Sequence, residues 1–323
     1  MVDAEPLRIV FFGTPAFAVP TLEALLHSRH SVAGVVTRTD RPRDRGQRTA
    51  EPPVKSRAVA AGAPVLQPER LIDAEFLDTL AHLNADLGVV VAYGKILTDA
   101  VLAMPRLGVV NVHASLLPRY RGAAPVHRAI INGERETGVT IMRMVQALDA
   151  GPVLATARRP IGPDETSEEV ERDLARIGAP LLVSTVDALA AGPLAEVPQD
   201  DSAATYARRI TREDGTIDWT LPPRAVHNLI RGLHPWPHAF TFHHGRRLIL
   251  RRSAIPEQEP GVDPFSVPPG TILEAHGDRL RIAAGGGPIA ITEIQAEGKR
   301  PMTPREFLAG HPLPAGELVT SHP

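Results

Sequence analysis

The sequence predicts an α/β protein in two parts, a mainly parallel sheet covered by helices followed by a smaller β-barrel. Apolar runs in the first half alternate with helical patterns. Four of these runs are short and continuous, as in strands buried on both faces: 7–12, 31–37, 86–92 and 108–112. In the second half, short apolar stretches follow one another with glycine-rich turns between them, which is typical of a small barrel.

Helices are predicted between the strands of the first half. Leucines at helical spacing support the first of them, and the predicted ranges are 15–29, 54–61, 73–83 and 166–190. Residues 138–144 and 153–159 predict a hairpin that completes the sheet. In sheets of this kind, ligands bind beyond the carboxyl ends of the strands. The loops after Phe12, Val91 and Val112 are therefore the first candidates for a site.

A polar, proline-bearing stretch around residues 192–202 predicts a boundary between the two parts. After it come a short helix at 223–231 and the predicted barrel strands. We therefore divide the chain into a first domain (1–192), a linker (193–212) and a second domain (213–323).

Composition restricts the class of protein. The chain has 323 residues, of which 43% are hydrophobic, so a globular protein with two cores is expected. The absence of cysteine excludes disulfides and thiol catalysis. No run approaches 18 apolar residues, and Met1 to Pro6 lacks a basic region of the secretory kind. These features predict a cytoplasmic protein without a membrane span.

The net charge of −2 is not that of a typical nucleic-acid-binding protein, but arginines are concentrated in two segments. These arginines are Arg38, Arg41, Arg43, Arg45 and Arg48 in the first segment, and Arg246, Arg247, Arg251 and Arg252 in the second. Either segment is a solvated surface or a contact for an anionic partner.

Several common motifs are absent. The first strand leads into Gly13, one glycine where a dinucleotide fingerprint needs three, and no GxxxxGK[ST] phosphate loop is present. There is no HExxH, and the pair His243 and His244 is interpreted as a surface feature. No metal is therefore expected in the chemistry.

The segment 110–125 carries polar groups at the end of a predicted strand. Asn111 and His113 are two residues apart and project from the same face, where an amide and an imidazole suit a developing oxyanion. Asp149, in the loop before Gly151, is placed to orient the His113 ring. Each residue also has a structural interpretation, as a strand end, a turn or a cap. Spacing alone leaves both interpretations open.

Residues 111–118 (NVHASLLP) resemble the N-x-H-x-S-L-L-P segment of the folate-dependent formyltransferases, and 148–151 (LDAG) resembles their L-D-x-G loop. Further segments narrow the resemblance to the branch that acts on initiator methionyl-tRNA. In family order they are 12–15 (FGTP), 40–42 (DRP), 90–94 (VVAYG), 119–125 (RYRGAAP), 137–142 (TGVTIM), 217–219 (IDW) and 235–237 (PWP).

The resemblance implies a Rossmann-like catalytic domain and an OB-like barrel. It implies 10-formyltetrahydrofolate as co-substrate, the catalytic trio Asn111, His113 and Asp149, and formyl transfer to the methionine amine of initiator tRNA by a monomer. The cofactor-binding residues implied are Ser115, Leu116, Leu117, Pro118, Val91 and Tyr93.

The resemblance also implies tRNA contacts in the basic loop after the second strand and in the barrel. They fall on Arg41, Arg45, Arg48, Arg246 and Arg247. The loop departs from the family at Arg43-Asp44, where a small pair is usual, and at Gln47, where lysine is common.

Other functions compete with this one. A sister formyltransferase for a nucleotide-sugar or glycinamide ribonucleotide shares the trio, but lacks the arginine loop and the IDW and PWP segments. A hydrolase that releases formate has the same fold. A non-catalytic tRNA-binding protein would not need the trio, and a dehydrogenase needs the missing glycines.

Overall fold

The computed structural model describes residues 5–43, 48–257 and 267–323, with only the backbone for 41–43, 48 and 49. The helices are α1 (Val19–Leu26), α2 (Pro53–Ala60), α3 (Ala74–His82), α4 (Asp99–Ala103), α5 (Pro125–Ile131), α6 (Ser167–Ala191), α7 (Pro223–Gly232) and α8 (Pro304–Leu308). Short 3-10 helices span Ala16–Ala18, Asp201–Ala203 and Glu213–Gly215. The strands are β1 (Arg8–Gly13), β2 (Ser31–Val36), β3 (Arg41–Arg43), β4 (Arg48–Ala50), β5 (Val65–Leu66), β6 (Leu87–Val91), β7 (Val109–His113), β8 (Arg121–Gly122), β9 (Glu136–Arg143), β10 (Val153–Pro160), β11 (Tyr206–Ala207), β12 (Ala239–His243), β13 (Arg246–Ala254), β14 (Ile272–His276), β15 (Arg279–Ala284) and β16 (Gly287–Ala296).

The chain forms two compact units. The first contains Met1–Gly122, Thr137–Arg159 and Glu171–Tyr206, and the second contains Ala123–Glu136, Pro160–Val170 and Ala207–Pro323. The second unit thus includes two segments that precede residue 192 in the chain. No local sequence pattern indicates these two segments, because packing decides which unit a segment joins.

The main sheet of the first unit has the order β10-β9-β7-β6-β1-β2-β5 within the described residues. The pairs from β7 to β5 are parallel, whereas β9 runs antiparallel to β7. This confirms the predicted α/β fold with its mainly parallel sheet. β1, β6 and β7 are buried almost throughout, as their apolar runs predicted.

Helix α6 continues without a break through Gly178 and Pro180, close to the predicted range 166–190. A Cβ at Gly178 would lie 3.2 Å from Val112 on β7 and 3.3 Å from Val139 on β9, so glycine lets the helix pack closely on the sheet. On length and composition α6 is the one helix of the described ranges that qualifies as a membrane span. Its Leu174, Leu182 and Val186 are buried, as in the core helix of a globular protein.

The second unit contains a sheet in the order β12-β13-β16-β15-β14, antiparallel throughout. Bridges join Thr320 to Phe242 of β12, and Leu318 to Thr271 just before β14. The end of the chain thus connects the two edge strands, as closure of the predicted barrel requires. Its core includes Trp219, whose indole nitrogen donates a 3.0 Å hydrogen bond to Thr241.

His238 in the second unit is half-buried and neutral. Nη1 of Arg251 donates a 2.8 Å hydrogen bond to Nε2, so the ring proton must be on Nδ1. Nδ1 is buried and has no partner in the described residues. Burial, followed by the charges of Arg251 and His234, lowers the pKa of His238 to about 4 from its ordinary value of 6.5.

We expect His238→Asn to reduce the acid sensitivity of the fold. Between about pH 6.5 and 4, His238 takes up a proton only when the chain is unfolded, so stability falls as the pH is lowered. The variant should retain up to about 2 kcal/mol of the unfolding free energy that the wild type loses from pH 7 to pH 5. Urea unfolding at pH 7 and pH 5 measures this difference. Asparagine is chosen because it tolerates the positive φ of 67° at residue 238. His276→Asn, at an exposed position, is the control. If the unfolding free energy fell equally with pH in the wild type and in His238→Asn, His238 would not be the cause of the acid sensitivity.

Candidate active site

The end of β7 presents Asn111 and His113, with 9% and 6% of their surfaces exposed. Asn111 pairs in register with Met142 of β9, and His113 with Thr140. The Asn111 side chain makes no hydrogen bond within the described ranges of the chain, so its amide is available to a ligand oxygen. The Thr140 hydroxyl donates to the carbonyl of Ser115 at 2.7 Å and fixes the loop after β7.

The His113 ring is oriented by the backbone. Its Nε2 lies 3.0 Å from the carbonyl oxygen of Tyr120. Because a carbonyl only accepts, Nε2 carries the proton and Nδ1 is the nitrogen available for chemistry. Nδ1 lies 3.8 Å from Oδ2 of Asp149. That separation is too long for a direct hydrogen bond, and it leaves both atoms within reach of a group placed between them.

Asp149 is held in an unusual conformation, with a φ of 48°. The amide of Gly122 donates a 2.7 Å hydrogen bond to its Oδ2, the same oxygen that faces His113. Left-handed backbone at a residue other than glycine requires support from the surroundings and is frequent at functional sites. Both the loop position and the resemblance placed Asp149 beside His113, and the structure brings the two side chains together.

Gln199 supports the Asp149 loop. Its Nε2 donates to the carbonyl oxygens of Asp149 at 2.8 Å and Gly151 at 2.7 Å. Its Oε1 accepts from Nε and Nη2 of Arg121, which is buried and also pairs with Asp201 at 2.7 Å. Burial is the largest influence on the pKa of Arg121 and lowers it, but the hydrogen bonds and charges of Asp201 and Tyr206 together outweigh burial, so the pKa is raised.

Sequence reasoning missed Gln199 because it lies in the polar stretch interpreted as linker. Arg121 lies in the segment 119–125, which resembles the family. That resemblance was the one indication in the sequence that this part of the chain supports the site. The interpreted linker is also joined to β10, since Val153 and Val197 exchange backbone hydrogen bonds of 2.8 and 2.9 Å. The segment that contains Gln199 is therefore attached to the first unit at two points. Val197 pairs with β10, and Gln199 itself bonds to the Asp149 loop.

Gln199→Leu should reduce kcat about tenfold or more while the fold persists. The change removes both hydrogen bonds to the Asp149 loop and leaves buried polar groups without partners, at a cost of about 1–3 kcal/mol. Steady-state kinetics with circular dichroism measures both effects. Gln146→Leu is the matched control, because the side chain of that exposed glutamine makes a single hydrogen bond among the described residues, to Asp99. Equal kcat values for the two variants would show that Gln199 does not position the loop.

The predicted cofactor residues occupy different environments. The loop after β7 is fixed at Ser115, whose hydroxyl donates to the carbonyl of Arg119 at 2.7 Å, and it contains a cis peptide bond between Leu117 and Pro118. Leu116, Leu117 and Pro118 are partly exposed. Val91 and Tyr93, by contrast, are buried.

Tyr93 belongs to the core of the first unit and packs edge-on against Phe12. Burial raises the pKa of Tyr93 to about 12, so its phenol is neutral. Its hydroxyl has no hydrogen-bond partner in the described residues. A ligand contact at Val91 or Tyr93 therefore falls to the backbone at the carboxyl end of β6.

The predicted tRNA contacts are described only in part. The Arg45 position and the side chains of Arg41 and Arg48 lie outside the described residues. Arg246 is exposed, whereas Arg247 stacks over the Phe240 ring with its guanidinium carbon 3.9 Å from the centroid.

Arg251 and Arg252 of the same strand are engaged within the second unit. Arg251 contacts His238 and Gln295, and Arg252 pairs with Glu169 at 3.0 Å. Of the four arginines in this segment, Arg246 is thus the most available for a phosphate.

Comparison with known proteins agrees with this fold. Residues 7–186 match the formyl transferase family and residues 209–312 match the formyl transferase C-terminal domain. The fold is also similar to an N-formyltransferase from Helicobacter canadensis, solved with folinic acid and dTDP-3-aminofucose (TM-score 0.68, 18% identity, 90% of this chain and 99% of that one). The protein is thus a formyltransferase by fold and domain content.

Full-length relatives define the family more narrowly. The methionyl-tRNA formyltransferase of Moorella thermoacetica is 45% identical over 97% of this chain and 99% of its own length. The methionyl-tRNA formyltransferase of Heliobacterium modesticaldum is 48% identical over 96% of this chain and 99% of its own length. The chain belongs to the methionyl-tRNA formyltransferase family, which confirms the resemblance stated from the sequence.

Proposed function

We propose that this protein transfers the formyl group of 10-formyltetrahydrofolate to the α-amine of methionine on initiator tRNA. The observation that carries the proposal is the arrangement of Asn111, His113 and Asp149 at the end of β7, in a chain of this family. A free buried amide, an imidazole nitrogen and a carboxylate supply the groups that acyl transfer between nitrogens needs.

In the proposed reaction, the methionine nitrogen attacks the formyl carbon and a tetrahedral intermediate forms. The Asn111 amide and a protonated His113 stabilise its oxyanion. The attacking amine loses a proton, and the folate nitrogen gains one as its bond to the formyl carbon breaks. The 3.8 Å gap between His113 Nδ1 and Asp149 Oδ2 is suited to a proton that moves by way of a bridging group.

We assign the folate site to Ser115, Leu116, Leu117 and Pro118 with the backbone at Val91 and Tyr93. We assign the tRNA contacts to Arg41, Arg45, Arg48, Arg246 and Arg247. The division into 1–192, 193–212 and 213–323, the monomeric state and the cytoplasmic location are part of the same proposal. No metal takes part in the proposed reaction.

Formyl transfer with purified protein tests the function. Initiator methionyl-tRNA should be formylated, and elongator methionyl-tRNA and free methionine should not. Equal use of elongator tRNA would refute the initiator specificity. Folate binding without transfer to any tRNA would instead indicate a small amine as acceptor, as in the sister formyltransferases.

Arg45→Gln should weaken the use of tRNA and leave folate binding intact. Loss of one phosphate contact should reduce the slope of log KM for tRNA against log salt concentration by about one unit. Measurement of KM for tRNA between low and physiological salt gives this slope. Lys299→Gln, a charge removal outside the assigned contacts, serves as control, and an unchanged slope in Arg45→Gln would remove Arg45 from the tRNA site.

A further inference from the structure

We propose that His243, His244 and Glu317 form a zinc-binding site in the second unit. The Nε2 atoms of the two histidines lie 2.7 and 2.9 Å from the same oxygen, Oε2 of Glu317. All three donor atoms lie within 4.8 Å of one another. The proposal does not depend on the proposed function, because the trio belongs to the first unit and these residues to the second.

The hairpin between β12 and β13 places both rings on one side. His243 ends β12 and pairs with Arg246, so His244 and Gly245 form a two-residue turn. Their φ angles are 48° and 71°, as a type I′ turn requires. In an extended strand, two consecutive side chains would point to opposite faces. The turn instead brings the ring centroids to 4.2 Å.

The third ligand comes from the end of the chain. The amide of Ile272 donates a 2.8 Å hydrogen bond to the backbone carbonyl of Glu317. Three residues later, Thr320 and Phe242 exchange two backbone hydrogen bonds of 2.8 Å. Glu317 is thus held beside β12 before any ion binds, and this lowers the entropy cost of assembling the site.

The donor set favours zinc over magnesium or calcium. Two imidazoles and one carboxylate suit a borderline ion, whereas Mg²⁺ and Ca²⁺ prefer oxygen ligands. Three protein ligands leave one tetrahedral position for water.

Only a small rearrangement is needed. Donor atoms of a tetrahedral zinc ion lie roughly 3.3 Å apart, given bonds of about 2.0–2.1 Å. The present distances of 2.7 and 2.9 Å must therefore widen by a few tenths of an ångström. The side chains of His244 and Glu317 are 72% and 37% exposed, so they can rotate without disturbing the core.

Bound zinc would connect the β12–β13 hairpin with the last residues of the chain. These two segments meet at the edge where the barrel closes, since Phe242 and Thr320 form a bridge there. An ion that binds only the folded arrangement stabilises it by mass action. Zinc should therefore protect the second unit against unfolding.

Zinc titration by calorimetry tests the site on the full chain, without a histidine tag and after chelator treatment. We expect one ion per chain with a micromolar Kd. His244→Asn and Glu317→Gln should each weaken binding about tenfold or more. Asparagine tolerates the left-handed φ of His244, and His244 is exposed while Glu317 is partly exposed, so the variants should fold.

His276→Asn is the matched control, because His276 pairs with Glu274 at 2.8 Å but has no third ligand in the described part of the chain. Its zinc affinity should equal that of the wild type. Zinc at tenfold excess over Kd should raise the melting midpoint by about 2–4 °C in the wild type and not in His244→Asn. The proposal would be overturned if no zinc bound at concentrations up to about 100 times the expected micromolar Kd. It would also be overturned if His244→Asn bound zinc as tightly as the wild type.

Discussion

His113→Ala should reduce kcat for formyl transfer by about 10²–10⁴-fold, the largest effect we expect from a single side chain. The ring contributes the nitrogen that faces Asp149, while its other nitrogen is held by the Tyr120 carbonyl. Alanine removes the acid–base group and leaves the strand intact. Single-turnover formylation with saturating folate and tRNA measures the chemical step directly.

Two further variants distinguish chemistry from structure at this position. Asp149→Asn keeps the shape of the side chain but removes its charge, so it should also lower kcat and not folate affinity. The double variant should lose far less than the product of the single losses, because the two groups act as a unit. Single-turnover rates of the wild type and His113→Ala that agree within a factor of about three would remove His113 from the mechanism.

Gly151→Ala should have the second largest effect, although residue 151 has no side chain to contribute. A Cβ at this position would lie 1.8 Å from the carbonyl oxygen of Arg143 and 2.8 Å from its carbonyl carbon. Both atoms are backbone at the end of β9, so the loop that carries Asp149 must move. A displacement of about 1 Å can cost on the order of 100-fold in rate.

The same change should lower the unfolding free energy by about 1–3 kcal/mol, the usual cost of overpacking. Kinetics and urea unfolding measure the two effects in one preparation. Gly310→Ala is the matched control, since a Cβ there meets nothing within 4 Å and its φ is not positive. Wild-type kinetics and stability in Gly151→Ala would mean that the loop adapts and that its position is not decisive.

The sequence predicted the first unit well because its strands are buried on both faces. The apolar runs at 7–12, 86–92 and 108–112 correspond to β1, β6 and β7 within two residues at each end. When continuous apolar runs alternate with helical patterns along a chain, each run is best explained as a central strand of a sheet. Helix ends were less accurate, and the predicted 15–29 helix is Val19–Leu26 after a short 3-10 turn.

The three proposed catalytic residues show how much a local sequence pattern can predict. Asn111 and His113 were placed on one face by strand geometry alone, because residues two apart share a face. Asp149 was a candidate from its loop position, but only the resemblance connected it firmly with His113, since 35 residues lie between the two. The support by Gln199 was not predicted, because nothing in a polar, proline-bearing stretch indicates which loop its amide will reach.

Periodicity and motif spacing are local properties of the chain, and they were sufficient to predict the fold class, the family and the chemical types of the site residues. Which distant groups meet became visible only in the folded protein. Folding brought Gln199 to the Asp149 loop, Glu317 to the His243–His244 pair, and the segments 123–136 and 160–170 into the second unit. Such contacts depend on the path of the whole backbone, and their polar side chains carry no periodic signal that would reveal their partners.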